Sequence, residues 1–402
     1  MTHPFPPPQI QPFERLNPSD GLLINAERWS KAHEYHRQRQ NAYFQSLHQP
    51  GIVCGLGVRP IPAPRQTGAE YRDGRWVQIQ PGIAIDVMGN LIVVSPQAYR
   101  DVDINLEVAS SEPVMIYLVV SYVDPDELRN RQQRDIVQET YRIDQKISPP
   151  EASEIEICRI WLEPGQTTIS KPADAFYPGY NNIDLRYRRH AQARPQALVK
   201  IAQVSRNDDG EYARNFFNLA YLLQSVEPLY SHLRGADEPS EVSLSENIQE
   251  YDLLYVTGKQ SLSLNSFEFE SLKNYLDLGG ILLVDAPLDA NALIESTHAL
   301  AQQLETPLRP LTELQRSHPL RTKPFLFAAL PIINQQLIQL FLGGGIILIV
   351  GDLASAWGID REFNLPRLTI RTAQELGINI LNYAWKRRQL LGLQQEDNSG
   401  QW

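Results

Sequence analysis

A chain of 402 residues is longer than one hydrophobic core normally fills, so two or three domains are expected. A net charge of −10 excludes nucleic acid as the main partner, because binding phosphate needs a basic face. Cys54 and Cys158 are the chain's two cysteines. They are too few for a disulfide framework or a four-cysteine zinc site, and they suit a reducing cytoplasm.

Residues 1–20 are Pro-rich and aperiodic, which predicts an extended arm able to lie on a neighbour. The start, Met1 to Pro8, lacks the charged-then-apolar order of a signal peptide. Residues 24–48 carry Ile24, Trp29, Ala32, Tyr35, Ala42, Tyr43 and Leu47 near helical spacing. A docking helix is therefore placed within 21–50, ended by Pro50-Gly51. Its His33 and His36 stand three apart, a spacing that puts two imidazoles on one face. No third ligand accompanies them, so no metal is expected.

Residues 51–208 read as a β-rich, sandwich-like domain. Val77–Gln80 alternates, and Ile83–Val87 and Leu91–Val94 flank the turn Met88-Gly-Asn90 as a hairpin. Val114–Val123, Gln138–Ile143, Glu154–Leu162 and Ala197–Val204 are further strands. Lys171–Arg194 reads as a loop, and its cluster Arg186, Arg188, Arg189 around Tyr187 is able to grip an acidic partner or lipid head group. Asn207–Gly210 marks the exit.

Residues 211–390 change period. Helices are expected at Asn215–Leu233, from Asn265 to Leu278, at Ala290–Leu304 and at Arg371–Arg388. Asn265 and Glu268 have the spacing of a capping box. Leu253–Val256, Ile281–Val284 and Ile346–Val350 are short, wholly apolar strands, the signature of a mostly parallel sheet covered on both faces. Phe325–Ala329 is read as another strand, Leu337–Leu342 as the end of a short helix, and 391–402 as a flexible tail. The apolar run Leu337–Val350 is too short and too interrupted by Gly343–Gly345 to span a bilayer, which takes about 20 residues. Lys386–Arg388 is expected to complement the dipole of its own helix. The fold class is thus α+β multidomain: a helix plus an antiparallel β domain, then an α/β domain.

Ligands of open α/β sheets sit beyond the carboxyl ends of the strands. Lys259, Asp285 and Asp352 follow those ends, so a crevice holding two carboxylates is one candidate site. Paired carboxylates share acid and base roles or hold a metal; the alternative is that they cap helices or pair with Lys259. The nucleophile and base of an active site are missing. Both cysteines lie elsewhere, no Gly-x-Ser-x-Gly elbow occurs, and of the C-terminal histidines other than His232, neither His298 nor His318 follows an obvious sheet strand. Gly343–Gly345 lacks the Lys-Ser/Thr of a phosphate loop. No catalytic residue and no cofactor are therefore expected.

Two resemblances meet these residues. Asp20-Gly-Leu-Leu-Ile-Asn-Ala-Glu-Arg-Trp29, Ala32-His33-x-Tyr35-His36, Gly51-Ile-Val-Cys-Gly-Leu-Gly-Val58 and Gln80-Pro-Gly-Ile-Ala-Ile-Asp86-x-x-Gly-Asn90 occur in that order. With Gln138–Arg142 and Ile157–Ile160, they resemble an N-terminal module of phage-tail-like contractile injection systems, over most of residues 15–205. The stretch 212–390, through Leu254-Tyr-Val-Thr-Gly258, Tyr275-Leu276-x-x-Gly279-Gly280, Ser317–Leu320, Asp352 with Trp357, and Leu376–Asn379, resembles a bacterial domain of unknown function. That domain has a glutamine-amidotransferase-like, flavodoxin-type fold. Amidotransferases need a cysteine nucleophile, and none stands here.

The resemblances imply a baseplate-associated structural protein, not an enzyme, present in multiple copies of a symmetric homo-oligomeric assembly. Its partners would be other baseplate or tail proteins, with a peripheral membrane contact as an extension of that role. It would sit in a cytoplasmic bacterial particle, at the face of an internal or cytoplasmic membrane. Trp29, His33, Tyr35, His36, Tyr43, Arg186, Arg188 and Arg189 are the candidate interface residues. The alternative is a ligand-binding protein or hydrolase that uses the crevice at Lys259, Asp285 and Asp352.

Overall fold

The computed structural model describes residues 11–65, 68, 74–97, 100–105, 112–124, 138–166, 168–205, 211–358 and 364–394. The first ten residues of the expected arm, the exit turn 207–210 and residues 395–402 of the expected tail lie outside them. The chain divides into two compact units at Arg194/Pro195, ahead of the boundary read near residue 210.

The first unit opens with α1 (Ala26–Leu47). The Asn25 side chain caps it by accepting from Arg28 N at 2.9 Å, one of the donors a helix start leaves unpaired. The strands that follow are β1 (Gly51–Gly55), β2 (Val58–Pro60), β3 (Trp76–Ile79), β4 (Gly82–Ile85), β5 (Leu91–Val94), β6 (Asp101–Asp103), β7 (Val114–Val123), β8 (Thr140–Lys146), β9 (Glu154–Leu162) and β10 (Ile183–Asp184). They form three antiparallel sheets in the orders β1-β4-β5, β2-β3-β6 and β10-β9-β7-β8.

Alternation sorts each long strand. Ile116, Leu118 and Val120 of β7 and Ile155, Ile157 and Ile160 of β9 share one core with Ile52, Val77, Ile79 and Ile92. Met115 and Tyr117 do not belong to it, as period-2 strand geometry requires. Arg159 and Trp161 face outward as well, because β9 carries an extra residue where its register with β7 shifts between Leu118 and Val119, which reverses the alternation after Ile157. Cys158 is buried in this core, whereas Cys54 on β1 is exposed. The β4–β5 turn is closed by buried Asp86, whose carboxylate accepts from Met88 N, Asn90 N and Asn90 Nδ2. Gly89 sits there at φ +82°, and a Cβ would lie 2.4 Å from Asn41 O of α1. Only glycine fits both demands.

The second unit contains β11 (Ala197–Val199), β12 (Ile201–Val204), α2 (Glu211–Leu229), β13 (Leu233–Gly235), β14 (Ser240–Val242), β15 (Leu253–Thr257), α3 (Ser266–Asp277), β16 (Ile281–Ala286), α4 (Asn291–Gln303), β17 (Arg309–Pro310), α5 (Pro319–Thr322), β18 (Ile332–Ile333), β19 (Gln336–Leu337), β20 (Gln339–Gly343), β21 (Ile346–Val350) and α6 (Arg367–Gly392). Its main sheet has seven strands in the order β14-β12-β15-β16-β21-β20-β17. The first five are parallel; β20 runs antiparallel to β21, and β17 antiparallel to β20, back in the direction of the first five. Leu253 and Tyr255 face a core shared with α2 and α6, through Leu219, Leu222, Leu376 and Ile380. Leu254 and Val256 face the opposite core with α3 and α4, through Leu272, Leu276, Leu293 and Leu300. Helices thus cover both faces, which is why these strands are apolar throughout.

Several local readings are corrected. The run Ala197–Val204 is two strands, and β12 belongs to the seven-stranded sheet, not to the β domain. Leu337–Leu342 does not end a helix. It enters β20, whose Leu340 and Leu342 point into the core, and Gly344 and Gly345, at φ +56° and +99°, turn the β20–β21 hairpin. Five apolar residues broken only by Gln339 are too short a run to have a period that separates strand from helix.

Phe325–Ala329 is not a strand. Asn379, fully buried on α6, accepts from Phe325 N at 2.9 Å and donates to Phe325 O at 2.7 Å and Leu320 O at 3.0 Å. One side-chain amide therefore supplies what a neighbouring strand would. The Lys386–Arg388 cluster does not serve its own helix end either. Arg387 donates to Leu276 O and Gly280 O, tying down the end of α3, and Arg388 donates to Gln249 O and Tyr251 O. The Asn265–Glu268 capping box is present, with both of its bonds.

Candidate functional site

Parallel register brings Thr257 of β15 opposite Asp285 of β16. The chain leaving β21 turns at Asp352, held at φ +55°, into a short 3-10 helix over Leu353–Ala356. Asp285 is 0% exposed. Its Oδ1 accepts from Leu353 N at 2.9 Å, and its Oδ2 from Ala354 N at 2.7 Å and Tyr255 Oη at 3.2 Å. Thr257 Oγ1 donates to Asp285 O at 2.8 Å.

Burial pushes the Asp285 carboxyl up to about 7, and the negative charge of Asp352 adds to the rise. The Ala354 and Leu353 amides and the Tyr255 hydroxyl offset part of it. Burial, and after it the charges of Asp285 and Asp352, raise the Tyr255 phenol well above its ordinary value. Of the three crevice residues, the structure brings Asp285 and Asp352 together. Lys259 forms its ion pair with Asp289, at 2.9 Å, on the surface. Trp357 behind them is core, with Nε1 donating to Ala373 O at 3.1 Å. The two oxygens of Asp285 thus latch the post-β21 turn to the sheet. The arrangement fits a buried structural carboxylate better than one aimed at a substrate.

On α1, Trp29, His33, His36, Tyr43 and Leu47 stand four, three, seven and four residues apart, which puts them on one stripe of the helix. All are exposed, with Trp29 at 57%, Tyr43 at 59% and Leu47 at 47%, and no residue of the helix is buried. Trp29 packs edge-on to His33, with centroids 5.1 Å apart. Tyr35 lies off the stripe and accepts from Arg39 Nη1 at 3.0 Å. The helix is tethered through its other side by polar contacts: Arg37 with Asp124 at 2.8 Å, Asn41 with Asn90 at 2.8 Å, and Gln45 Nε2 with Val87 O at 3.3 Å. Among the described residues, no group of three or more His, Cys, Asp or Glu is arranged to hold a metal.

The arginine cluster is largely engaged within its own unit. Arg186 grips Asp184 through two nitrogens and donates to Phe176 O at 3.0 Å. Half-buried Arg188 donates to Leu56 O at 2.8 Å and Gly55 O at 2.6 Å. Arg189 has an exposed side chain, and its carbonyl accepts from Ile52 N at 2.8 Å.

Sequence reasoning missed a groove of about 280 Å3 above the outward face of β7 and β9, where Met115, Arg159 and Trp161 meet Tyr180, Asp184 and Tyr187. Its residues are scattered over four elements, so no spacing announces it. The available signal was the aromatic density of 176–187 in a segment without periodicity.

Residues 200–385 match a family described as Domain of unknown function (DUF4159). The match takes in the sheet from β12 to β21 and most of α6. No curated protein matches the chain. No helix among the described residues is long and apolar enough to cross a membrane.

Proposed function

We propose that the protein is a structural, non-enzymatic component of a phage-tail-like contractile injection system, associated with its baseplate and present in several copies. The first unit docks through α1. The second, read as a glutamine-amidotransferase-like domain of flavodoxin type, is an extension that meets neighbouring subunits or a membrane face. The observation that carries the docking reading is the α1 stripe. A helix held in place by polar tethers keeps Trp29, Tyr43 and Leu47 in solvent, and such patches mark binding surfaces. Its 3–4 spacing suits a partner helix seated against it. The amide-filled oxygens of Asp285 support a non-catalytic second unit.

The test is purification of the particle from cells carrying Trp29→Ala/Tyr43→Ala in this chain. Loss of the chain from the particle, with its own folding intact, is the expected result. Full occupancy of the double variant would sink the docking role.

A second reading rests on the carboxyl of Asp285, pushed up to about 7 beside Asp352. Acid–base residues are tuned to that range, which favours a ligand-binding protein or hydrolase using this crevice. Turnover that disappears in Asp352→Asn would favour it over the assembly role.

A further inference from the structure

The groove over β7 and β9 differs from the α1 stripe in being built, not merely exposed. Its loop is fixed by a dense set of bonds. Asn181, at φ +60°, donates its N–H to Trp161 O at 2.8 Å, accepts from Glu163 N at 2.9 Å and donates from Nδ2 to Glu163 Oε2 at 2.7 Å. Gly179 N donates to Asn182 Oδ1 at 3.0 Å, and Arg186 ties Phe176 O to β10. This fixed loop leaves Phe176 76% and Tyr177 80% exposed. Tyr180 meets Trp161 edge-on, with centroids 5.6 Å apart. Across the groove, Arg159 stacks over Tyr187 with its guanidinium carbon 3.7 Å from the centroid. Pre-organised Trp, Tyr and Arg are the residues that dominate binding energy, because little entropy is lost when they are covered.

Two aromatic ridges flanking a narrow groove select a polyproline II strand. Such a strand has no internal hydrogen bonds, so its carbonyls are open to the Trp161 indole N–H and the Tyr180 and Tyr187 hydroxyls, while its rings fill the space between ridges. The chain itself carries this ligand. Pro4-Phe5-Pro6-Pro7-Pro8 has the Pro-x-x-Pro spacing, and it lies in the ten residues ahead of Gln11. At ~3.1 Å per residue in that conformation, those ten residues reach ~31 Å. An arm on one copy and a groove on the next make a head-to-tail contact, the kind that closes into a ring.

We propose that the Trp161–Tyr180–Tyr187 groove binds the Pro4–Pro8 segment of a second copy of this chain. The contact links copies to one another and does not depend on which particle they join.

The test uses the full chain with Pro4, Pro6, Pro7 and Pro8 changed to Ser, so that its own arm cannot compete. A fluorescein-labelled peptide of residues 1–12 is titrated against it by anisotropy. Saturable binding is expected, weakened about tenfold or more by Tyr180→Ala and abolished when the peptide's four prolines are serine. Because Tyr180 is half exposed, Tyr180→Ala should keep the parent melting temperature; Trp161→Phe serves as the milder second variant. In sedimentation velocity, the unmodified chain should associate as its concentration rises and the four-serine variant should not. Absence of saturation up to about 1 mM peptide, a very weak affinity, would overturn the site. So would binding indifferent to Tyr180→Ala and Trp161→Phe. Peptide binding with a strictly monomeric unmodified chain would overturn the second copy as its source.

Discussion

Asp285 is the residue whose chemistry is most constrained by its surroundings. Replacing it with Ala leaves Leu353 N, Ala354 N and the Tyr255 hydroxyl without their acceptor. A stranded buried polar group costs about 1–3 kcal/mol, so Asp285→Ala should lower the urea midpoint clearly. The pH dependence has a definite sign. In the unfolded chain an aspartate titrates near ~3.9, whereas in the fold Asp285 is pushed up to about 7. Between those values the folded state holds more protons. The stability from this group is therefore complete below the unfolded value and is lost as pH rises through 7. Asn cannot titrate, so the penalty of Asp285→Asn should be largest at about pH 4 and shrink steadily toward pH 8. Paired denaturation curves across that range check it, and a penalty that grows with pH would contradict it.

At the scale of elements, α1 and the 325–329 segment make opposite predictions. Trp29→Ala and Tyr43→Ala remove exposed side chains, so stability should change by no more than about 0.5 kcal/mol while docking is lost. Asn379→Ala touches no surface, yet it strips both backbone groups of Phe325 and the carbonyl of Leu320 of a partner. It should destabilise by about 1–3 kcal/mol and speed amide exchange around residues 320–330.

The same contrast explains what was legible beforehand. The strands Leu91–Val94, Val114–Val123, Glu154–Leu162 and Ile346–Val350 stand where their runs place them, because each combines apolar or alternating residues with flanking turn signals. The Asn265–Glu268 cap was legible because it is local. Phe325–Ala329 was not, since its hydrogen bonds go to a side chain 54 positions away. The two carboxylates at the strand ends could be located, but not the amides that fill Asp285, which arrive from a turn some 68 residues later. The aromatic groove depends on register between β7 and β9 and on a loop with no period, so only the folded chain assembles it.

For the whole molecule, each unit has its own apolar core, one in the first and one on either face of the second unit's sheet. A fragment of residues 195–394 is therefore expected to unfold as one cooperative transition by itself; a broad, non-cooperative melt would show that it needs the remainder of the chain. The two thiols open a practical route to the assembly question. Burial raises the Cys158 thiol and walls it off, whereas Cys54 meets solvent. A thiol reagent should consume one equivalent in the native chain and two in denaturant. An electron-dense maleimide tag would then mark every copy at a single known point of β1, without mutation, making the chain's position within any complex directly visible.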